Sequence, residues 1–359
     1  MQVAAYRQGQ PFVEVHAGNL GPHDVRPVQA DSIFCSFSAT KGVAALAVHL
    51  LADRGFIDYE APVASYWPGF ARQGKERITV AQALSHQGGL HAMPEPFDPR
   101  HILDWEAGLA RMEDAVPAWE PGTATGYHAV TFGWLVGGIV AGATGRHVQE
   151  VIRTEIAEPL GIGSELYVGV PVADATVRAR LASLALLAAG DGLPIPDDAP
   201  FYQAMPKAMW PYFNDLALRE ACLPSGNGHF SARALAKVYG ALANGGEIDG
   251  VRLCGPERID SMRQLQTDQV DRVLMAPIRK AIGFFLGGIG PTPDGRLVAG
   301  LQGPRESAFG HAGAGGSVGY ADPELGLGLA VTINKMAFPM PGEGTTQEIC
   351  DLVRELAAA

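Results

Sequence analysis

Ser38-Ala39-Thr40-Lys41 stands directly before an apolar run from Gly42 to Leu51. Valine, alanine and leucine recur in that run at helical spacing, which predicts that Ser38 lies at or just before the N-terminus of a helix. Ser38 and Lys41 are then one turn apart on the same helix face. A lysine in that position can take the proton of the serine hydroxyl, provided that burial lowers its pKa towards neutrality. This stretch therefore predicts a nucleophilic serine accompanied by its own base.

Two further segments follow Ser-x-x-Lys in a recognisable order: residues 121–129 read PGTATGYHA and residues 310–317 read GHAGAGGS. With these three segments the chain resembles the serine β-lactamase and penicillin-binding-protein superfamily. Residues 58–63, 78–80, 84–90 and 227–229 also look like the corresponding segments of class C β-lactamases. The resemblance covers nearly the whole chain and is closest to the family VIII carboxylesterases, which share the β-lactamase fold but cleave ordinary esters.

The arrangement of predicted elements agrees with that fold. Alternating residues predict a hairpin over 3–6 and 12–16, and further strands over 281–286, 297–301, 316–320 and 326–334. A helix is expected over 348–356 and another after Ser231, its predicted cap. We expect an α/β (α+β) fold of the β-lactamase/transpeptidase-like type, an antiparallel sheet flanked by helices. The predicted sheet domain comprises residues 1–34 and 232–359, and the inserted, mostly helical domain residues 35–231.

Composition and charge restrict the class of protein. With 359 residues, of which 47% are hydrophobic, the chain can bury a sizeable core. Its net charge of −11 argues against nucleic acid or an anionic membrane as a partner, because both would repel it. The charge says nothing about the substrate, for which the resemblance implies a small-molecule ester.

Segment hydrophobicity and cysteine spacing suggest where the protein resides. No positively charged head with an apolar core follows Met1, and no apolar segment is long enough to span a bilayer. The four cysteines are widely spread without Cys-x-x-Cys, which is typical of reduced thiols. We therefore predict a cytoplasmic protein. No zinc-binding spacing is present, and we predict neither a metal nor a cofactor.

The family resemblance implies a role for each matching residue. Ser38 would attack the ester carbonyl and become acylated, while Lys41 would hold or receive its proton. Tyr127 would work with Lys41 as general base and then return the proton to the leaving alcohol. A charged Lys41 nearby is expected to lower the pKa of Tyr127. The backbone N–H groups of Ser38 and Ala314 would form the oxyanion hole, with the turn at Gly313 placing the second one.

Two departures from the β-lactamase pattern point to the substrate. His311-Ala312-Gly313 stands where β-lactamases have Lys-Thr-Gly, and Tyr127-His128-Ala129 stands where they have Tyr-x-Asn. The missing cation would suit the carboxylate of a penicillin, and the missing asparagine its side-chain amide. His311 is expected to be only partly charged near neutral pH. Neutral carboxylic esters are therefore favoured, with His311 and Gly313 expected to line the substrate pocket.

The segment 182–214 is rich in leucine, methionine and aromatic residues among several prolines. It is either ordinary packing of the helical domain or an apolar wall over the acyl pocket. If it is the wall, Trp210 belongs to the substrate site and short to medium acyl chains are preferred.

Other functions and other nucleophiles remain as alternatives. The chain is alternatively a β-lactamase or a D-amino-acid-specific peptidase, an acyltransferase, or a non-catalytic scaffold, although intact Ser38, Lys41 and Tyr127 argue against the scaffold. Residues 315–319 match the Gly-x-Ser-x-Gly elbow of α/β-hydrolases, but no histidine follows Ser317, so we expect a structural serine. Cys35 is expected to be a small buried hydrophobe. We expect structural roles for His86 and His128, which would fix loops through backbone hydrogen bonds.

Overall fold

The computed structural model describes residues 1–93, 97–185, 195–292 and 295–359. The strands are β1 (Gln2–Arg7), β2 (Gln10–His16), β3 (Asn19–Gly21), β4 (Asp24–Pro27), β5 (Phe34–Cys35), β6 (Leu166–Val168), β7 (Gly228–Phe230), β8 (Glu247–Ile248), β9 (Val251–Arg252), β10 (Phe285–Leu286), β11 (Ile289–Pro291), β12 (Leu297–Ala299), β13 (Phe309–Ala312), β14 (Val318–Asp322) and β15 (Leu327–Thr332). The α-helices are α1 (Thr40–Asp53), α2 (Val80–Leu84), α3 (Trp105–Asp114), α4 (Phe132–Thr144), α5 (Val148–Ile152), α6 (Ala175–Arg178), α7 (Phe201–Ala204), α8 (Leu216–Glu220), α9 (Ala232–Ala243), α10 (Pro256–Met262) and α11 (Thr345–Ala358). Short 3-10 segments cover Phe37–Ala39, Val63–Ser65, Pro68–Ala71, Pro99–Ile102 and Lys207–Asn214, and a π turn covers Arg153–Ala157.

The largest sheet is built from both ends of the chain. Its strand order is β10-β13-β14-β15-β1-β2, and every neighbouring pair is antiparallel. Val3 of β1 lies opposite Val331 of β15. Helix α9 covers one face so closely that a Cβ on Gly328 would lie 2.1 Å from the backbone nitrogen of Gly240. Helix α11 packs its apolar residues on the other face.

A helical region joins these two ends. Helix α1 is buried from Thr40 to Ala52, as expected for a central helix surrounded by other elements. Helix α4 packs against it, and the indoles of Trp105 and Trp67 lie on the glycine surface of α4. A small sheet, β5-β7-β6, joins the start of α1 to the segment before α9. Within the described residues, no helix is both long enough and apolar enough to cross a membrane.

The sheet flanked by helices confirms the predicted fold class, with several differences in the elements. The predicted hairpin is present, turning at residues 8 and 9, and Ser231 caps α9 by accepting from the Ala234 N–H at 3.1 Å. The predicted strand over 281–286 is wrong in extent, since only Phe285–Leu286 pairs. Gly283 has a φ of +79°, which interrupts extended backbone there. Strand β12 lies outside the large sheet and pairs with β11. Strand β13 escaped prediction because Gly310 and Ala312 have little strand preference. The domain boundaries at 34 and 232 stay a prediction.

Candidate active site

Ser38 lies in a tight 3-10 turn, Phe37–Ala39, which leads directly into α1. Phe37 adopts a φ of +45°, a left-handed conformation that is unfavourable for an aromatic residue and that hydrogen bonds hold in place. The Ser36 N–H donates to the Gly228 carbonyl at 2.8 Å, and the Gly228 N–H donates to Thr40 Oγ1 at 2.8 Å. The Thr40 hydroxyl donates to the Phe37 carbonyl at 2.5 Å. Strand β7 thus fixes the turn that presents Ser38.

Lys41 is completely buried beneath that turn. Its Nζ lies 3.1 Å from Ser38 Oγ, 2.7 Å from the Ala129 carbonyl and 2.8 Å from the Ser225 carbonyl. Desolvation lowers the pKa of Lys41 well below its usual value of 10.5. The sequence-predicted pair of serine and lysine is therefore in contact, with the lysine in an environment that disfavours its charge.

Tyr127 forms the opposite wall, with its ring centroid 4.8 Å from Lys41 Nζ. Its ring packs against His86, Phe285 and His311, with centroids 5.0, 5.8 and 6.0 Å away. Burial raises the pKa of Tyr127, and a hydrogen bond with the Ser38 side chain opposes that rise only in part. The expectation of a lowered tyrosine pKa is therefore wrong. Lys41 is itself driven towards its neutral form and does not supply the positive charge that the expectation required.

A buried ion pair that the sequence analysis missed lies behind Tyr127. Lys280 Nζ contacts Asp271 Oδ2, and both side chains are fully buried. Asp271 Oδ1 accepts from the backbone N–H groups of Tyr127, Val273 and Leu274 at 3.1, 2.8 and 2.7 Å. Although burial opposes it, Lys280 and these donors hold the pKa of Asp271 below its usual range. Asp271 and Lys280 stand among other charged residues, Arg272 and Arg279, so the sequence does not single them out as a buried pair.

The turn after β13 approaches Ser38 closely. A Cβ on Gly313 would lie 2.1 Å from the Ser36 carbonyl oxygen, so only glycine lets the end of β13 approach the Ser38 turn this closely. The Gly313 N–H donates to the Ser317 carbonyl at 2.6 Å, which closes the turn. In the described part of the chain, the Ala314 N–H donates to no backbone carbonyl. This leaves a hydrogen-bond donor beside the turn that carries Ser38.

His311 is buried between Tyr127 and the ring of Phe285, which stacks on it at 4.4 Å. Its Nδ1 lies 2.7 Å from the Ala312 carbonyl, so Nδ1 carries the proton and Nε2 is an acceptor without a partner among the described residues. Desolvation, with a contribution from Lys41, lowers the pKa of His311 to about 3. The expectation of a partly charged histidine is wrong, because burial keeps the imidazole neutral.

His86 and His128 hold loops, as predicted. His86 Nδ1 accepts from the His128 N–H at 3.1 Å, and His128 Nε2 accepts from the Leu90 N–H at 2.9 Å. Desolvation lowers the pKa of both imidazoles, that of His128 to about 3. Both rings are therefore neutral elements of the wall around Tyr127.

The two alternative nucleophiles are structural. Ser317 is 1% exposed, and its Oγ accepts from the Ile333 N–H at 3.1 Å. Cys35 is buried in β5, where desolvation raises the pKa of its thiol to about 11. Among the described residues, neither side chain has a base in contact with it comparable to Lys41 beside Ser38.

Trp210 lies beside the residue that precedes Ser38. The rings of Trp210 and Phe213 contact Phe37, with centroids 5.8 and 4.7 Å apart. Part of the predicted apolar wall, residues 186–194 with Leu186 and Leu187, lies outside the described residues. The described part places an aromatic cluster against the turn that carries Ser38; whether it forms the wall of an acyl pocket stays a prediction.

A large cavity opens on the other side of the turn after β13. It has a volume of about 790 Å³ and reaches Gly313 and Ala314, while Ser38, Lys41 and Tyr127 do not line it. Its apolar lining includes Met336, Phe338 and Met340. Among the described residues, no three His, Cys, Asp or Glu side chains are grouped closely enough to hold a metal ion.

The chain is similar in sequence and structure to known β-lactamase-like proteins and esterases. A sequence profile described as Beta-lactamase matches residues 1–352. The chain is 37% identical to the esterase/beta-lactamase LipL of Mycobacterium tuberculosis, over 99% of this chain and 82% of that protein. The crystal structure of a family VIII carboxylesterase superposes with a TM-score of 0.85 at 35% identity, covering 97% of this chain and 89% of that one. A penicillin-binding protein homologue from Caulobacter crescentus superposes with a TM-score of 0.87 at 34% identity, covering 99% and 91%.

Proposed function

The chain belongs to the Beta-lactamase family, and from that premise we propose that it is a carboxylesterase that cleaves neutral esters through an acyl-enzyme on Ser38. The observation that carries the proposal is the set of partners around Lys41. Two carbonyl oxygens and one hydroxyl surround its Nζ. A neutral amine has two N–H donors and one lone pair, which match two carbonyls and one hydroxyl proton.

The lone pair of a neutral Lys41 then faces the Ser38 O–H. In acylation, Ser38 Oγ bonds to the ester carbonyl carbon as its proton passes to Lys41 Nζ. The negative charge that develops on the carbonyl oxygen is stabilised by the N–H groups of Ser38 and Ala314. Lys41 carries a positive charge only while this intermediate exists, so the two charges offset each other.

Tyr127 supplies the proton for the departing alcohol. Its raised pKa keeps the phenol protonated, and its hydrogen bond with Ser38 places it next to the reacting atoms. As the carbon–oxygen bond to the alcohol breaks, the phenol proton passes to the alcohol oxygen and Lys41 restores the phenol. Water then attacks the acyl carbon as its proton passes to Lys41. The bond from that carbon to Ser38 Oγ breaks as Lys41 returns the proton to the serine oxygen, which releases the acid and restores the enzyme.

The surroundings favour a neutral ester with a short to medium acyl chain. His311 stands where a cation would bind a carboxylate, and burial keeps it uncharged. Its Nε2, which has no partner among the described residues, can accept a hydrogen bond but does not attract an anion. Trp210 and Phe213 offer an apolar surface to the acyl chain beside Phe37.

Hydrolysis of p-nitrophenyl butyrate by the wild type, Ser38→Ala and Ser317→Ala tests the proposal. We expect Ser38→Ala to lose at least about 10³-fold in kcat/KM, in the range found for removal of a catalytic nucleophile. Ser317→Ala is the matched control and is expected to stay within about threefold, since Ser317 holds only Ile333. Mass spectrometry of the wild type after brief mixing should show one butyryl group on Ser38. Activity retained by Ser38→Ala would overturn the proposal.

Hydrolysis of a penicillin separates the remaining alternatives. LipL carries both names, esterase and beta-lactamase, so both activities are measured on the same preparation. We expect kcat/KM for the penicillin to lie far below that for the butyrate ester, because no cation replaces the missing lysine. Equal or faster cleavage of the penicillin would favour the β-lactamase alternative.

A further inference from the structure

The geometry points to Asp271 and Lys280 as positioning residues, which hold Tyr127 where it can protonate the departing alcohol. This inference rests on the proposed role of Tyr127. Both residues belong to the segment 271–280, here called the clamp segment, which lies far from Tyr127 in the sequence. The bond from the Tyr127 N–H to Asp271 spans 144 residues.

The clamp segment holds the residues around Tyr127 at several adjacent points. The Tyr127 N–H donates to Asp271 Oδ1, and the Arg272 N–H donates to the Thr125 carbonyl at 2.9 Å. Lys280 Nζ donates to Thr125 Oγ1 at 2.6 Å. The backbone on either side of Gly126 is therefore tied to one ion pair. A tyrosine whose main chain is fixed in this way can swing only about its own side-chain bonds.

Apart from the hydrogen bond between its hydroxyl and Ser38, the Tyr127 ring is held by packing. Its walls are the rings of His86, Phe285 and His311, which restrict the ring by packing without directing its hydroxyl. The hydroxyl must stay within hydrogen-bond reach of the reacting atoms while the alcohol departs, and a displacement of about 1 Å costs on the order of 10²-fold in rate. The clamp segment adds directional contacts to the main chain that carries the ring.

A buried ion pair adds little net stability to a loop compared with apolar packing. Removing two charges from water is costly, and well-packed apolar residues of similar size are often neutral or stabilising in their place. Asp271 offers what an apolar residue cannot, since one carboxylate oxygen receives three backbone N–H groups. The second oxygen is left for Lys280, which extends the contact to Thr125. The pair thus fixes a particular loop geometry.

Asp271→Asn disturbs this arrangement with a minimal change of shape. Asparagine keeps one oxygen for the backbone N–H groups, but its NH2 group then faces the Lys280 ammonium, and two donors cannot bond to each other. Lys280 must withdraw and release Thr125. We expect the fold to persist while Tyr127 loses its fixed position.

The test compares two esters of the same acid. The p-nitrophenolate of p-nitrophenyl butyrate departs without needing a proton, whereas the ethoxide of ethyl butyrate requires one. We expect Tyr127→Phe to lower kcat/KM for ethyl butyrate by about 10²-fold and for the nitrophenyl ester by only a few-fold. Asp271→Asn should lower the ethyl ester value by about tenfold, in kcat more than in KM, and the nitrophenyl value by less than about twofold. Release of acid is followed by titration at constant pH.

Two controls separate positioning from stability. Asp322→Asn removes another buried carboxylate, one that is paired with Arg305 at 3.2 Å and lies on β14. It should lower the unfolding temperature without changing the ratio of the two ester rates. In a Tyr127→Phe background, Asp271→Asn should have no further effect on ethyl butyrate, because the group it positions is gone.

The outcomes are distinguishable. If Tyr127→Phe affects both esters equally, the proposed role of Tyr127 fails. If Tyr127→Phe discriminates between the esters and Asp271→Asn does not, or if the two changes are additive, the positioning inference is overturned. Should Asp271→Asn not fold, Thr125→Val decides the matter. It removes the second partner of Lys280, and we expect the same discrimination at about threefold; an unchanged ester ratio in Thr125→Val would overturn the inference.

Discussion

Lys41 and Lys280 are both completely buried, yet the groups around them favour different forms of the side chain. Lys280 contacts a carboxylate, which opposes the lowering of its pKa by burial. Lys41 contacts two carbonyls and one hydroxyl, and no carboxylate is among its hydrogen-bond partners in the described chain. A third buried lysine, Lys75, donates to the carbonyls of Arg72, Glu113 and Ala115 at 2.7–2.8 Å.

The comparison teaches that the partners of a buried lysine decide its role. Three carbonyls around Lys75 match the three N–H donors of an ammonium group, and the Lys280 ammonium is neutralised by Asp271. At Lys41 one position is occupied by a hydroxyl, which is able to give a proton away. Of the three lysines, Lys41 is the one that contacts Ser38, the serine of the Ser-x-x-Lys motif.

The largest effect is expected from Lys41→Met, with Lys75→Met as its counterpart. The two variants test whether the difference between the buried lysines is one of chemistry. We expect Lys41→Met to lower kcat/KM for p-nitrophenyl butyrate by about 10³-fold, the scale of general-base catalysis. Lys75→Met should lower the unfolding temperature, because three carbonyls lose their donor, while kcat/KM stays within about threefold. Similar losses of activity in the two variants would mean that Lys41 matters because it is buried, and not because it acts as a base.

Gly313→Ala tests the oxyanion donor at Ala314 while leaving all three buried lysines unchanged. A methyl group at this position meets the Ser36 carbonyl and pushes the turn at Ala314 away from Ser38. Loss of one oxyanion donor costs about 3 kcal/mol, so we expect kcat/KM to fall by about 10²-fold. Gly290→Ala is the matched control, since no atom of the described residues lies within 4 Å of its added Cβ. An active Gly313→Ala enzyme would indicate that Ala314 takes no part.

The pH dependence tests the charge state assigned to Lys41. A base must be unprotonated, so kcat/KM for a neutral ester should rise with pH and level off above the pKa of Lys41, which desolvation places well below 10.5. Below that pKa the rate falls about tenfold per pH unit. Burial holds the pKa of His128 and His311 near 3, so these histidines are not expected to produce a limb between pH 5 and 8. A limb that moves in His311→Gln would contradict this assignment.

Trp210→Ala gives the smallest expected effect and asks whether binding of the acyl chain is independent of the lysines. Loss of the indole beside Phe37 should lower the ratio of octanoate to acetate ester rates by about fivefold. Tyr212→Ala, a more exposed position in the same 3-10 segment, is the control. If Met336→Ala changes this ratio and Trp210→Ala does not, the acyl chain lies in the cavity beside Ala314.

Local features of the site were predictable from the sequence, whereas long-range ones were not. Ser38 and Lys41 are neighbours on one helical turn, so their spacing alone predicts their contact. Asp271 reaches Tyr127 only because the fold brings distant segments together, and no motif surrounds either member of its ion pair. The pKa of Tyr127 was misjudged for a related reason. Spacing indicates that a lysine is near, but desolvation of that lysine is known only once its surroundings have folded.

The secondary structure shows the same difference between local features, which the sequence predicts, and long-range ones, which it does not. The hairpin formed by β1 and β2 is local and was predicted close to its observed bounds. The strand predicted over 281–286 is reduced to Phe285–Leu286 because Gly283 adopts a positive φ, a conformation that a residue pattern does not reveal. Strand β13 is held by its neighbours β10 and β14 and not by the preferences of its own residues.

The pairing of β1 with β15 also bears on how the enzyme is made. Strand β1 pairs at once with its neighbour β2, but its other partner, β15, is synthesised long after it. Ser38 and Lys41 emerge soon after β1, but Ala314 arrives only with the last part of the sequence. On the proposed mechanism, the nascent protein carries Ser38 through much of translation without the second oxyanion donor, and we expect hydrolysis only after Ala314 has joined the fold.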